Sequence, residues 1–120
     1  MSFHTYAKNV RRENLSFKAR RSAFRSCIVR YHRLIRRKLD VTYLRYSKHF
    51  GFDGDVPDAG DRLGQAIDAL EKERNLFLEQ LRLFDKKRVK EKMRGHRFPS
   101  KLAVEALYKC DWFEIRDNEE

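Results

Sequence analysis

The sequence predicts an all-α protein, a three-helix antiparallel bundle with a basic N-terminal arm and a short C-terminal helix plus tail. Three observations support this fold class. No Gly or Pro occurs before Gly51, so the first fifty residues can be helical almost throughout. Apolar residues recur at three- and four-residue spacing in two long segments, as they do on the buried face of a helix. A single loop rich in Gly and Asp, residues 51–61, separates these segments.

The predicted arm covers residues 1–13, where Lys8, Arg11 and Arg12 stand against one acidic residue, Glu13. We expect this arm to grip a partner. The Arg-, Ser- and Phe-containing composition of the N-terminus is equally typical of a mitochondrial targeting segment, which here would stay uncleaved, and both interpretations are open. The arm is followed by a helical bundle over residues 14–94 and by a C-terminal extension over residues 95–120.

The first bundle helix has an apolar stripe at helical spacing, formed by Phe24, Cys27, Ile28, Tyr31, Leu34 and Ile35. Much of its remaining circumference is cationic, through Arg25, Arg30, Arg33, Arg36 and Arg37. We predict that the stripe faces the third helix of the bundle and that the arginines contact an acidic protein or RNA. Asp40 can cap a second helix that ends at Phe50, and one long helix without a break is the alternative.

The loop at residues 51–61 contains three Gly, one Pro and four Asp, and we expect its aspartates to cap the third helix. That helix has a seam in steps of four and three, formed by Leu63, Ile67, Leu70, Phe77, Leu81 and Phe84. Arg74 and Arg88 interrupt the seam, and Gly95 ends the helix. Pro99 suits the first turn of a short helix that ends near Lys109, before an acidic tail.

The charge of the chain is distributed in blocks. The formal net charge of +10 divides into +12 over residues 1–50, −5 over 51–85, +7 over 86–109 and −4 over 110–120. This excess predicts an acidic partner, which can be nucleic acid, anionic lipid or acidic protein. No apolar run approaches the roughly 20 residues that a spanning helix needs, so we expect at most a position at a membrane surface. Cys27 and Cys110 match no disulfide framework or zinc site and fit a reducing compartment.

The sequence shows no constellation typical of catalysis, and we expect no enzymatic activity, cofactor or metal. The four histidines lie in separate segments, and the loop aspartates do not have the spacing of a calcium-binding EF-hand. RNA binding has more support, because arginines are interleaved with aromatic residues. Most of those aromatics fall on the predicted core face, and we expect Tyr46 and Phe98 to be free to stack on bases. Zinc-finger, RRM and KH motifs are absent from the sequence.

Several short segments follow each other in a recognisable order. Ala23-Phe24-Arg25 precedes Ile28-Val29-Arg30, then come Arg45 and Phe50, and then Val56 and Asp58 in the loop before the Leu63–Leu81 helix. Over about residues 20–84 this order resembles the mitochondrial LYR-motif family, with Ala and Phe in place of the aliphatic residue and the Tyr of its tripeptide. A second alignment places the motif at Tyr31 to Arg36. Proteins of this family are small, basic three-helix accessory subunits or assembly adaptors of mitochondrial complexes.

The resemblance implies an acyl carrier protein as partner, whose acyl-phosphopantetheine enters the helix bundle. It implies that Arg25, Arg30 and Phe50 take part in this contact and that Phe24 and Ile28 line an acyl channel; the same residues can instead form core and rim. The function that follows is a non-catalytic accessory subunit of a respiratory-chain complex, in the mitochondrial matrix or on the matrix face of the inner membrane. The alternative is a mitochondrial ribosomal protein that contacts rRNA through its basic helices.

Overall fold

The structure, a computed structural model, describes residues 2–35, 39–53 and 56–109, with the backbone alone at residues 39, 40 and 109. Within these residues it is all-helical and has no β-strand. The helices are α1 (Phe3–Arg11), α2 (Phe17–Ile35), α3 (Leu39–Phe50), α4 (Ala59–Met93) and α5 (Lys101–Lys109). The apolar faces of α1 to α4 form one core, and α5 packs on α4. The predicted all-α class is therefore confirmed.

Helices α2 and α3 fold against each other. The ring centroids of Phe24 on α2 and Tyr46 on α3 are 5.9 Å apart. In one continuous helix these two residues, 22 positions apart in the sequence, would be separated by about 33 Å. The chain therefore reverses between the two helices, which confirms the two-helix prediction over the single long helix. Residues 36–38, and the side chain of Asp40 that was predicted to cap α3, lie outside the described residues.

The N-terminal segment differs from the predicted arm. Ser2 Oγ accepts the Thr5 N–H at 3.3 Å and begins α1 with a side-chain cap. Phe3, Ala7 and Val10 then lie on one helical face and are buried against the core. Residues 3–11 are therefore part of the packed structure, because their three apolar side chains are covered by α2 and α4.

Polar contacts hold α1 in this position. Arg11 on α1 forms ion pairs with Asp68 at 2.6 Å and Glu71 at 3.2 Å, both on α4. Arg20 on α2 donates from Nε to the Val10 carbonyl at 2.6 Å and from Nη2 to the Gly60 carbonyl at 3.1 Å. The guanidinium of Arg20 thus joins the end of α1 to the start of α4, and Arg11, which was predicted to belong to a partner-binding arm, makes its contacts within the fold.

Helix α4 has 35 residues and is therefore about 52 Å long. The predicted seam is confirmed, because Leu63, Ile67, Leu70 and Phe77 are buried and Leu81 and Phe84 are partly buried against the core. Asp58 occupies the N-cap position, but its carboxylate accepts from Arg62 Nε at 2.9 Å instead of capping the backbone. At the other end Gly95 has a φ of +90°, which lets the chain leave the helix as predicted. No helix in the described ranges is both long enough and apolar enough to cross a membrane.

Candidate anion-binding surface

Helix α2 is basic on the side that does not face the core. It contains six Lys or Arg residues and no Asp or Glu, and its apolar stripe is buried as predicted apart from the half-buried Leu34. Because the stripe faces inward, Arg25, Arg30 and Arg33 are exposed to solvent. Arg36 and Arg37, which the sequence assigned to the same surface, lie outside the described residues. The structure thus places the three arginines that it describes on the surface of one helix.

Two of these arginines have no partner among the described residues. Among residues 2–35, 39–53 and 56–109, neither Arg30 nor Arg33 has a hydrogen-bond acceptor or a carboxylate within bonding distance. Some surface cations on other helices do have such partners, for example Arg82 with Glu79 at 2.7 Å on α4. An exposed guanidinium without a partner keeps its donors for an external anion. These two side chains can therefore bind phosphate or carboxylate groups without breaking an internal contact.

Arg25 lies in a shallow groove between α2 and α3. The groove has a volume of about 420 Å³ and is lined by Lys18, Arg21, Ser22, Arg25, Tyr43 and Asp53. The guanidinium carbon of Arg25 lies 4.7 Å from the centroid of the Tyr43 ring. A cation held over a ring face in this way keeps its N–H groups at the ring edge available to a ligand. The contact therefore orients Arg25 in the groove before any partner binds.

Among the described residues that line the groove, the acidic one is Asp53, and it already has internal partners. Its carboxylate accepts from Tyr43 Oη at 3.3 Å, accepts from Ser47 Oγ, and forms an ion pair with Arg21 Nη1 at 3.5 Å. Burial, and then the charge of Asp53, raise the pKa of the Tyr43 phenol, so it stays a neutral donor at physiological pH. Arg21 and Asp53 neutralise each other at the groove, so Lys18 and Arg25 give it a net positive charge, and it is suited to an anion.

The residues assigned to an acyl channel or core occupy two environments. Phe24 and Ile28 are completely buried in the core. The Phe24 ring contacts the rings of Tyr43, Tyr46 and Phe52, with centroid distances of 6.3, 5.9 and 5.5 Å. Phe50 is half-buried at the edge of the core and stacks on Tyr46. Phe24 and Ile28 are therefore core residues in this structure, and Phe50 lies on its rim.

A buried polar contact between α3 and α4 was not predicted. Tyr46 donates from Oη to Glu73 Oε1 at 2.9 Å, and both side chains are fully buried. The prediction that Tyr46 is free to stack on bases is therefore wrong, whereas Phe98 is 83% exposed as expected. Burial, and then the carboxylate of Glu73, raise the pKa of Tyr46 far above its ordinary value. The burial of Glu73 could have been predicted from its spacing, because Glu73 lies three residues after Leu70 and four before Phe77 and so falls on the same helical face.

Cys27 is buried in the core as a free thiol. Burial raises its pKa to about 12, so the thiol is neutral and behaves as a small apolar side chain at physiological pH. Cys110 lies outside the described residues. In the part of the chain that the structure describes, no group of three or more His, Cys, Asp or Glu residues could hold a metal ion. The chemistry that the described residues offer is anion binding through fixed and free guanidinium groups.

Comparison of the chain with protein-family models, with curated proteins and with solved structures gave no match. The function is therefore argued from the geometry of the described residues and from the sequence.

Proposed function

We propose that this protein is a non-catalytic structural subunit of a large mitochondrial assembly. The assembly is a ribosome, and α2 contacts its rRNA. The observation that carries the proposal is the exposed face of α2, where Arg25, Arg30 and Arg33 lie on a helix without a single carboxylate. Phosphate contacts of this kind position a protein on RNA without reading its sequence. The mitochondrial matrix as compartment is inferred from the composition of the N-terminal segment.

The groove beside Arg25 fits a backbone phosphate. Lys18 and Arg25 supply the positive charge, and Ser22 lies four residues after Lys18 on the same face of α2. The Arg25 guanidinium, fixed over the Tyr43 ring, can donate two parallel N–H groups to phosphate oxygens. Arg30 and Arg33, one to two turns further along α2, then contact neighbouring phosphates. Because the core seals Phe24 beneath this surface, the geometry favours a partner that stays on the surface.

The test is RNA binding by the triple variant Arg25→Glu/Arg30→Glu/Arg33→Glu. Fluorescence anisotropy with a labelled RNA hairpin of about 20 nucleotides, over a salt series, measures affinity and its salt dependence. If three phosphates are lost, the log–log salt slope becomes shallower by about 2 to 3 units. The matched control reverses the charges of Lys8, Arg12 and Lys48, which are exposed elsewhere on the protein. Replacing these three residues by Glu changes the net charge by the same amount. Equal effects of both triples would show only general electrostatics and would refute the proposal.

A second candidate is an LYR-like accessory subunit of a respiratory-chain complex, bound to an acyl carrier protein. In this version α2, α3 and α4 form the three-helix antiparallel bundle of that family. One contact chain favours it: Arg25 covers the Tyr43 ring, and Tyr43 contacts Phe24 in the core. A carrier that docks on Arg25 and Arg30 would thus lie above the residues assigned to its acyl-phosphopantetheine.

The two candidates predict different companions for the native protein. Affinity purification followed by mass spectrometry and nucleic-acid analysis should recover rRNA with ribosomal proteins if the first proposal is correct. Recovery of an acylated carrier protein with respiratory-chain subunits, released by Arg25→Glu, would establish the second. The single reversal is not expected to unfold the protein, because an exposed arginine contributes little to stability. Circular dichroism checks that the variant keeps its helical content.

A further inference from the structure

The far end of α4 carries a second cationic surface, which we call the distal surface. It consists of exposed side chains at the end of α4 and in the loop that follows: Lys86, Lys87, Lys90, Lys92, Arg94 and Arg97. Within the described ranges none of these six has a carboxylate within ion-pair distance. The surface is therefore as free to bind an external anion as the exposed face of α2.

Three of these cations form a row. Lys86, Lys90 and Arg94 follow each other at four-residue intervals and therefore lie on one side of α4, with a rise of about 6 Å between neighbours. The opposite side is occupied by Arg88, which is only 7% exposed. Arg88 pairs with Glu91 at 2.7 Å and donates to the carbonyls of His96 and Arg97 at 3.2 and 2.9 Å.

The contacts of Arg88 have two consequences for the distal surface. They engage the one carboxylate of this turn, and the bond with Arg88 lowers the pKa of Glu91, so that the pair stays ionised. They also tie the loop at residues 96 and 97 to α4, although the loop has left the helix. The cations of α4 and Arg97 are therefore held on one rigid support, which reduces the entropy lost on binding.

The pattern of apolar residues decides between two kinds of anionic partner. Val89 and Met93 are 60% and 83% exposed and lie one turn apart beside the cation row, and Phe98 is 83% exposed in the loop. A helix that lies in a membrane interface needs a broad apolar face, whereas Val89 and Met93 are each flanked by two cations along the chain. A row of cations next to an isolated exposed aromatic ring is instead suited to RNA, whose phosphates pair with cations and whose bases stack on rings.

The two cationic surfaces lie at different levels along α4. Arg20 near the start of α2 bonds to Gly60 at the start of α4, and Phe3 contacts both Cys27 and Arg74, so the two helices run in the same direction. Arg33 lies 13 residues after Arg20 and Lys87 lies 27 residues after Gly60, so the two surfaces are separated by about 20 Å along α4. This separation is more than twice the screening length of about 8 Å at physiological salt, so an RNA bound at one surface only weakly neutralises the other. The exposed charged residues of α4 between these two levels are Glu79, Arg82 and Asp85, two acids and one base, which interrupt the cationic surface.

We infer that the distal surface is a second RNA-binding site and that this protein bridges two separate RNA segments. The bridging role depends on the proposed RNA contact of α2. RNA binding at the distal surface is independent of that contact. Phosphates contact the row of Lys86, Lys90 and Arg94, and an unpaired base stacks on Phe98. Such a subunit holds two RNA elements at the separation that the length of α4 sets.

Bridging is measured with two RNAs. A biotinylated hairpin is immobilised, the full-length protein is added, and retention of a fluorescent second hairpin is recorded. Wild-type protein and the Lys8/Arg12/Lys48 reversal control should retain the second RNA. The distal triple Lys86→Glu/Lys90→Glu/Arg94→Glu should lose retention but still bind one RNA, with a salt slope shallower by about 2 to 3 units. Phe98→Ala should weaken binding of a single-stranded probe about fivefold or more at the distal surface.

The variants separate the possible failures. If the distal triple retains the second RNA as well as the control does, the inference is overturned, while the proposal for α2 is judged on its own triple. If the α2 triple keeps the wild-type salt slope but the distal triple does not, RNA binds only at the distal surface, and both the bridge and the proposed function of α2 are wrong. If the distal triple loses binding to vesicles of anionic phospholipid and keeps RNA binding, the distal surface is a membrane site and the inference is wrong.

Discussion

Truncation of Phe24 tests most directly how the core relates to the candidate site. The ring is completely buried and lies where α2, α3 and the residue after Gly51 meet. It contacts three other rings at centroid distances between 5.5 and 6.3 Å. Phe24→Ala therefore removes a central contact of the aromatic cluster without changing any charge on the exposed face of α2.

The expected loss can be worked from this environment. A Phe→Ala change in a closed core costs about 3–5 kcal/mol. Aromatic pairs add about 0.5–1.5 kcal/mol each beyond the buried area, so three ring contacts place Phe24 near the upper end of that range, at about 4–5 kcal/mol. A domain of this length has a total stability of about 6–18 kcal/mol. The variant should thus remain folded or become marginal, with a midpoint lowered by roughly 12–25 °C.

Urea and thermal unfolding, followed by circular dichroism at 222 nm, measure this loss. Phe98→Ala is the matched control, because it is the same change at a side chain that is 83% exposed, and its cost should be within about 0.5 kcal/mol. A loss below about 1 kcal/mol at Phe24 would refute the closed core. Such a result would be expected if the ring lined an open channel in the free protein, as the carrier-binding candidate requires.

Three further predictions concern individual side chains. Gly51 has a φ of +64°, and a Cβ there would lie 2.8 Å from an Arg62 nitrogen, so Gly51→Ala should destabilise the protein by about 1–2 kcal/mol in urea unfolding. At Gly64 a Cβ meets open space, so Gly64→Ala should stabilise the protein by about 0.5–1 kcal/mol. Equal effects of the two substitutions would contradict both predictions. Tyr46→Phe removes the donor to a buried carboxylate and should cost about 1.5–3 kcal/mol; an unchanged unfolding midpoint would show that this bond does not form. Cys27, with a pKa raised to about 12, should resist iodoacetamide at pH 8 until the protein is unfolded, and peptide mass spectrometry would expose rapid native alkylation as a contradiction.

Features that depend on neighbouring residues in the chain could be predicted from the sequence. The seam of α4 and the apolar stripe of α2 repeat with the period of a helix, and their main members are buried. Gly95 ends α4, and the short helix α5 ends at Lys109 as predicted. It begins at Lys101, after the capping side chain of Ser100, so Pro99 precedes this helix and does not lie in its first turn as predicted. The exposure of Arg25, Arg30 and Arg33 follows from the same periodicity, because residues between the members of a buried stripe must point to solvent.

The role of the N-terminal segment was decided by tertiary contacts. Phe3, Ala7 and Val10 have the four- and three-residue spacing of a helical face, but a segment as short as α1 does not form a stable helix by itself. They are buried because α2 and α4 cover them. The carboxylate partners of Arg11 are Asp68 and Glu71, which lie 57 and 60 positions further along the chain. Such cations look unpaired in the amino-acid composition, because the composition does not show which carboxylates the fold places beside them.

The sequence by itself therefore determined helices α2 to α5, the two buried stripes and the cationic character of α2 and of the end of α4. Only the tertiary structure decided which polar groups are available to a partner. Tyr46 is closed into the core by Glu73, Asp53 is taken up by Tyr43, Ser47 and Arg21, and Arg88 is turned inward onto the loop. The physical reason is that helical periodicity assigns residues to a face, whereas solvent exposure and charge pairing depend on the groups that other helices place opposite that face.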